Sequence, residues 1–285
     1  KLNEYAKNAD VIHVEIDPSE LDKNVATTVP INADVARTLH VMLHDPELVS
    51  KPRRRWLQEI ETNRQETVAE IEAEIAAGVG DGGKLLMKTI IRRLSDITEG
   101  KDIIVPDVGQ HQMFAAQYYL FNKPRRWINS GGLGTMGFGL PVAIGVKLAF
   151  PDSDVACVTG EGSIQMNIQE LSTATHYKTP VKIINLRNNY LGMVKQWQDM
   201  QYAGRHSHSA YADSLPDFVK LAEAYGHVGV RIDKPGDVEG ALREAFNRKN
   251  DLVFMDFMVD QTANVYPMVQ GGKGLSEMIL SSEDL

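Results

Sequence analysis

From residue 102 onward, apolar residues gather in short unbroken runs, near 102–106, 126–129, 154–159, 181–187, 227–232 and 252–258. Such runs, bounded by glycine, proline or charge, read as strands buried on both faces, and the stretches between them carry apolar positions at helical spacing. Strands alternating with helices from Lys84 to Asp260 predict an α/β fold: a doubly wound parallel sheet covered by helices on both faces.

The earlier part of the chain has a different texture. Val11 to Ile16 reads as a buried strand ending at Asp17 and Pro18, and Asp34 to Leu43 reads as a helix, so residues 1–50 look like the end of a Rossmann-like domain. Residues 51–77 carry charge almost throughout, with Trp56, Leu57, Ile60, Val68, Ile71 and Ile75 as sparse apolar anchors; that spacing predicts an exposed linking helix. The glycine-rich stretch from Gly78 to Gly83 ends it, so 51–83 is a linker, 84–260 a domain, and 261–285 a tail that loses the pattern and is expected to lie over the site or a neighbouring subunit.

With 285 residues, 43% of them hydrophobic, the chain has ample material for a core. Its net charge of −8, with no basic patch interleaved with aromatics, argues against nucleic acid or an anionic membrane as main partner. The longest apolar stretch, Phe138 to Phe150, contains Pro141 and Lys147 and is too short to span a bilayer. Cys157 is the only cysteine, which excludes an intrachain disulfide, fits a reducing, cytoplasmic setting, and reads as a buried structural thiol within a strand. The chain starts at Lys1 and enters a strand almost at once, so it reads as a fragment.

The strongest chemical signal is Gly160-Glu161-Gly162-Ser163, followed by Asn188-Asn189. The run Val155 to Thr159 delivers Glu161 to a turn that Gly160 and Gly162 leave open, with helical periodicity from Gln165 to Tyr177; Val181 to Leu186 delivers Asn188 to the next turn. An acidic oxygen and an amide oxygen at two strand ends, beside helix-start amides, suit a hard divalent cation bound to phosphate oxygens. Gly132-x-Gly134-x-x-Gly137 also satisfies the dinucleotide-binding pattern, but alone that pattern has low specificity. His206 and His208 have poor ligand spacing and no evident acidic partner, which predicts a mobile loop over the site rather than a zinc centre.

These motifs resemble those of thiamine diphosphate enzymes, and in particular the large catalytic subunit of acetolactate synthase. The resemblance runs through Val108-Gly109-Gln110-His111-Gln112-Met113, Gly131 to Gly137, Met166 to Leu171 and Leu191 to Gln198, in order and spacing, and covers nearly the whole chain. It implies thiamine diphosphate, Mg²⁺ and FAD as cofactors. Glu161, Asn188 and the Tyr190 carbonyl would hold the metal, with Gln110, His111, Gly160, Gly162, Ser163, Gly192 and Met193 around the cofactor. Gly134 would offer a carbonyl to the aminopyrimidine, Met136 would wedge between the cofactor's rings, and Trp197 would line the substrate channel. Glu15, Ile16, Asp34 and Val35 resemble FAD-contacting positions in a middle domain.

The implied reaction decarboxylates pyruvate and joins the two-carbon unit to pyruvate or 2-ketobutyrate, early in branched-chain amino acid synthesis. The implied assembly is a homodimer or tetramer of complete large subunits with a regulatory small subunit. A glutamate from a preceding domain completes the family's site, so this chain alone is expected to be inactive. Two departures stand out: the family has Asp where this chain has Glu161, and Asn where it has Arg187. Another thiamine diphosphate decarboxylase or oxidase, or an inactive cofactor-binding fragment, remains the alternative.

Overall fold

The computed structural model describes residues 1–48, 52–211 and 213–284. It divides into two compact units, Lys1–Thr67 with Tyr266–Leu285, and Val68–Val265. In the first, β1 (Ile12–Glu15) pairs in parallel with β2 (Val29–Asn32), and α1 (Val35–His44) follows. Asp34 starts α1 by accepting the Arg37 N–H at 3.0 Å, an N-cap that satisfies one of the helix's orphan donors. The unit boundary falls within α2 (Arg54–Ala77), whose only buried residue is Ile75, as expected of a charge-rich exposed helix.

The second unit holds the remaining elements: α3 (Met87–Thr98), β3 (Ile103–Pro106), α4 (Gln110–Tyr118), α5 (Gly139–Ala149), β4 (Val155–Thr159), α6 (Glu161–Ile164), α7 (Glu170–Tyr177), β5 (Lys182–Arg187), α8 (Gly192–Gln201), α9 (Phe218–Ala224), β6 (Val228–Ile232), α10 (Val238–Asn247) and β7 (Val253–Met258). The five strands form one parallel sheet in the order β3-β4-β5-β7-β6. Its two faces are covered separately, which is why the strands lack polar alternation. Ile104, Ala156, Val158, Ile184 and Met255 join α3, α4 and α10 in one core cluster. Ile103, Val105, Val155, Cys157, Ile183 and Phe254 join α5, α7 and α9 in the other. The fold is therefore doubly wound, and Cys157 is a fully buried core thiol.

Two local expectations need correction. Residues 126–129 do not form a strand: only Trp127 bridges to Ile104, held by Ile104 N–H to Arg126 O at 2.8 Å and Ile128 N–H to Ile104 O at 3.1 Å. Arg125, with φ of 57°, breaks extended geometry just before it. The helical segment expected from Gln165 instead begins at Glu161 as α6, tightens into a 3₁₀ turn over Gln165–Asn167, and resumes as α7 at Glu170. Among the described residues, no helix is long and apolar enough to cross a membrane.

Candidate functional site

Open parallel sheets bind ligands beyond the carboxyl ends of their strands. Here β3, β4 and β5 each end in a turn that leads into a helix, and the three turns meet around one pocket. Val108 to His111, Met136, Gly160 to Ser163, Asn188 and Tyr190 to Val194 line it, with Met87 and Leu186. Two expected residues are not among this lining: Gly134 lies in the preceding loop, and Trp197 sits half-buried further along α8.

The Tyr190 N–H fixes the centre of the site. It donates to Glu161 Oε1 at 2.9 Å and to Asn188 Oδ1 at 3.1 Å, so the two oxygens singled out from sequence converge on one point. Asn188 turns its nitrogen away, donating to Gln110 Oε1 at 3.1 Å. Gln110 in turn donates to Gln196 Oε1 at 2.9 Å, and Gln196 grips both backbone groups of Val265 at 2.8 Å. The amide that faces the pocket is thus oriented by a buried chain of amides, each satisfied by the next.

Burial pushes the Glu161 carboxyl up to about 7, against the opposing pull of the backbone N–H groups and of Arg187. A cation placed against its oxygens would favour the ionised form. Arg187 itself donates through Nε to Asn189 Oδ1 at 2.8 Å and lies 3.5 Å from the buried Asp256 carboxylate. Of the two departures named from the sequence, Arg187 is therefore tied down beside the turn and is not part of the pocket lining, whereas Glu161 is.

Four glycines of the lining bring backbone into close contact with side chains around the pocket. A Cβ at Gly160 would lie 2.9 Å from His111 Nδ1, and one at Gly109 2.8 Å from His111 Cε1. At Gly162 a Cβ would meet the Tyr211 hydroxyl at 2.4 Å, and at Gly192 it would meet Gln110 Oε1 at 2.2 Å. Helices α4 and α8 both start at the pocket lining without a side-chain cap, which leaves first-turn N–H groups there without a side-chain partner. His111 is buried, its imidazole driven down to about 3, and its Nε2 has no hydrogen-bond partner. It is a neutral ring with one unmet polar atom at the pocket wall. Ser163 donates to Val108 O at 2.9 Å, so its hydroxyl ties two of the turns together.

No cluster of three or more His, Cys, Asp or Glu side chains suited to a metal occurs among the described residues. The donors that do converge are one carboxylate and one amide oxygen, hard ligands that leave most of a cation's shell to other oxygens, as in metal–phosphate sites. Residues 107–257 match the family described as "Thiamine pyrophosphate enzyme, C-terminal TPP binding domain". The chain belongs to this family. Thiamine pyrophosphate is thiamine diphosphate, and the uncapped helix starts, glycine wall and oxygen pair are features that fit its diphosphate and a metal.

Individual relatives refine the placement. The chain is 51% identical over 290 residues to the acetolactate synthase isozyme 3 large subunit of Escherichia coli (strain K12), covering 99% of this chain and 49% of that protein. It is 51% identical over 286 residues to the acetolactate synthase large subunit of Buchnera aphidicola subsp. Acyrthosiphon pisum (strain APS), covering 100% of this chain and 49% of the relative. For the Haemophilus influenzae large subunit the figures are 50% over 284 residues, 98% and 48%. The chain thus matches the C-terminal portion of acetolactate synthase large subunits and spans about half their length.

The rival NAD reading of Gly132 to Gly137 loses its support with this family match. The expectation that His206 lacks an acidic partner is also wrong: its Nε2 lies 2.6 Å from Asp199 Oδ1, a residue on α8 that folds back against the loop. Sequence reasoning missed Asp107, Gln196 and Asn167, all of which hold the site's walls. Asp107 had a visible signal, an acidic residue directly after an apolar strand; Asn167 and Gln196 lay inside blocks of the family resemblance, without a role attached to either.

Proposed function

We propose that this chain supplies the thiamine diphosphate and metal site of an acetolactate synthase acting in branched-chain amino acid synthesis. The overall reaction decarboxylates pyruvate and joins the two-carbon unit to pyruvate or 2-ketobutyrate. The single observation that carries this reading is the convergence of Glu161 Oε1 and Asn188 Oδ1 on the Tyr190 N–H beside two uncapped helix starts. When bound, the thiazolium of the cofactor supplies the electron sink for decarboxylation.

The residues of this chain bind and orient. Glu161, Asn188 and the Tyr190 carbonyl hold Mg²⁺ through oxygen donors. Gln110, His111, Gly160, Gly162, Ser163, Gly192 and Met193 surround the diphosphate; neutral His111 offers a hydrogen bond and no charge. Gly134 and Met136 face the aminopyrimidine. Met87, Leu186 and Met193 line the same pocket with apolar surface that excludes water. Trp197 acts from α8 on the choice of 2-ketoacid acceptor. FAD binds mainly to residues beyond this chain, with Glu15, Ile16, Asp34 and Val35 on its margin. The working assembly is a cytoplasmic homodimer or tetramer of large subunits with a regulatory small subunit.

The test joins this chain to the remaining half of the E. coli relative. Acetolactate formation from pyruvate, dependent on Mg²⁺ and thiamine diphosphate, is expected. A folded chimera that binds the cofactor without turnover would leave a binding domain in place of the enzyme reading.

A further inference from the structure

Met136 reaches the pocket from a loop that has no secondary structure of its own, between Ser130 and the start of α5 at Gly139. Its hinge is Gly137, at φ of 86°, a conformation that side chains with a Cβ rarely adopt. Both peptide groups flanking Gly137 are gripped from outside the loop. The Gly137 N–H, part of the peptide joined to Met136, donates to Asp107 Oδ1 at 2.8 Å. The Gly137 carbonyl accepts from Asn167 Nδ2 at 2.8 Å.

Asp107 is fully buried and holds mostly backbone: Oδ1 also accepts the Val108 N–H at 2.9 Å, Oδ2 accepts the Gly139 N–H at 3.1 Å, and the Ser163 hydroxyl is its one side-chain partner. Asn167 closes the other side tightly. A Cβ on Gly137 would lie 2.8 Å from Asn167 Nδ2 and 2.9 Å from Met166 Cβ. One residue just after β3 and one in the turn after α6 therefore fix the two peptide planes of Gly137: the first leads directly from the Met136 Cα, and the second anchors the loop one residue further on.

We propose that Asp107 and Asn167 are positioning residues that set the place of Met136 in the pocket by holding the peptide groups on either side of Gly137. The inference rests on the thiamine diphosphate reading and deepens it: the clamp governs the ring end of the ligand site. Of the residues given to the metal and the diphosphate, Glu161, Asn188 and Gln110 make no hydrogen bond to Asn167, whereas Asp107 also meets Ser163, so Asn167 is the arm of the clamp that stands apart from the diphosphate end.

That separation makes the proposal testable by comparing two ligands on this chain, thiamine diphosphate and inorganic pyrophosphate, each with Mg²⁺, by calorimetric titration. Asn167→Asp is the cleanest variant. It removes the donor to Gly137 O, keeps the residue's shape, and keeps the oxygen that accepts from Gln169 at 3.3 Å. Thiamine diphosphate affinity is expected to fall about tenfold, the scale of one lost hydrogen bond with a charge turned toward a carbonyl, while pyrophosphate affinity stays within about twofold. Asp107→Asn, which sets an amide N–H against the Gly139 N–H, should also lower thiamine diphosphate affinity more than pyrophosphate affinity, by a smaller margin because Asp107 meets Ser163 as well, and thermal denaturation of both variants reports folding.

Equal loss of both ligands, or loss in step with a lowered melting temperature, would assign the two residues to general structure and overturn the proposal. Unchanged affinity for both ligands would overturn it as well. Failure of the unsubstituted chain to bind thiamine diphosphate while it still binds pyrophosphate would defeat the cofactor reading itself and the clamp with it, a result distinct from failure of the variants alone.

Discussion

Gly192 is the position where one added methyl group should cost most at the site. It opens α8, and an alanine Cβ there would stand 2.2 Å from Gln110 Oε1 and 2.7 Å from Asn188 Nδ2. Gln110 cannot simply swing aside, because its amide also donates to Gln196, which is fully buried and holds Val265 by two bonds. Relief must break the Asn188–Gln110 bond, the Gln110–Gln196 bond, or both, at about 1 kcal/mol each and more where a buried amide is left unpaired. The gain in helix propensity from glycine to alanine offsets only about 0.5–1 kcal/mol. Gly192→Ala should therefore lose roughly 1–2 kcal/mol of stability and, because the Asn188 amide loses its orientation, about tenfold in affinity for Mg²⁺ with thiamine diphosphate. Urea denaturation gives the first figure and calorimetry the second. Gly240→Ala, an exposed position in α10 with nothing within 4 Å of its Cβ, is the control and should gain about 0.5–1 kcal/mol. If Gly192→Ala binds as well as the parent and is as stable, the amide chain does not orient the site.

Asn188→Ala should abolish the Mg²⁺ dependence of thiamine diphosphate binding, since the Glu161 carboxylate is left to face the diphosphate alone; titration with and without Mg²⁺ checks it, and an unchanged dependence removes Asn188 from the metal. Glu161→Asp should give up the bond to the Tyr190 N–H, costing about 1 kcal/mol in the ligand-free chain, yet tighten Mg²⁺ binding relative to Mn²⁺ by easing octahedral geometry; thermal shifts with both metals would expose the opposite trend. Asp102 predicts a pH effect away from the pocket. Burial, with Asp154 adding to it, raises its carboxyl from 3.8 to about 7, so the folded chain holds a proton there that the unfolded chain has released. Its contribution is fully present below pH 3.8 and is lost as pH rises through 7. Asp102→Asn should gain stability over the parent at pH 8 compared with pH 5, by at most roughly 3 kcal/mol and less for its partial exposure; an equal difference at both pH values would refute the assignment.

The sheet was legible because its strands are buried on both faces, which leaves runs such as Val155 to Thr159 without polar interruption. Glu161 and Asn188 were legible because strand ends in such sheets aim at the ligand crevice. Residues 126–129 were misread because hydrophobic patterning records contact with the core but not pairing, and Trp127 packs half-buried against the core with a single bridge in place of a ladder. The start of α6 was missed because Gly160 and Gly162 are present for close approach to His111 and Tyr211, and glycine signals a turn. Asp107 and Asn167 act on backbone groups 30 residues away in the chain, a relation that composition and spacing do not carry. Trp197 was placed by resemblance, and its position outside the pocket lining is information only the fold supplies.

The strand order also constrains how the molecule is made. β7 is the last strand of the sheet to be synthesised, yet it lies between β5 and β6. Until it docks, β5 has one open edge and β6 has no neighbour at all, the state in which parallel sheets fold slowly and aggregate. Leu186 and Asn188, at the end of β5, belong to the pocket wall, so the site takes its final form only after residues 253–258 insert. Ligand binding would then report that the sheet is complete, and would pull newly folded chains out of the aggregation-prone pool by mass action.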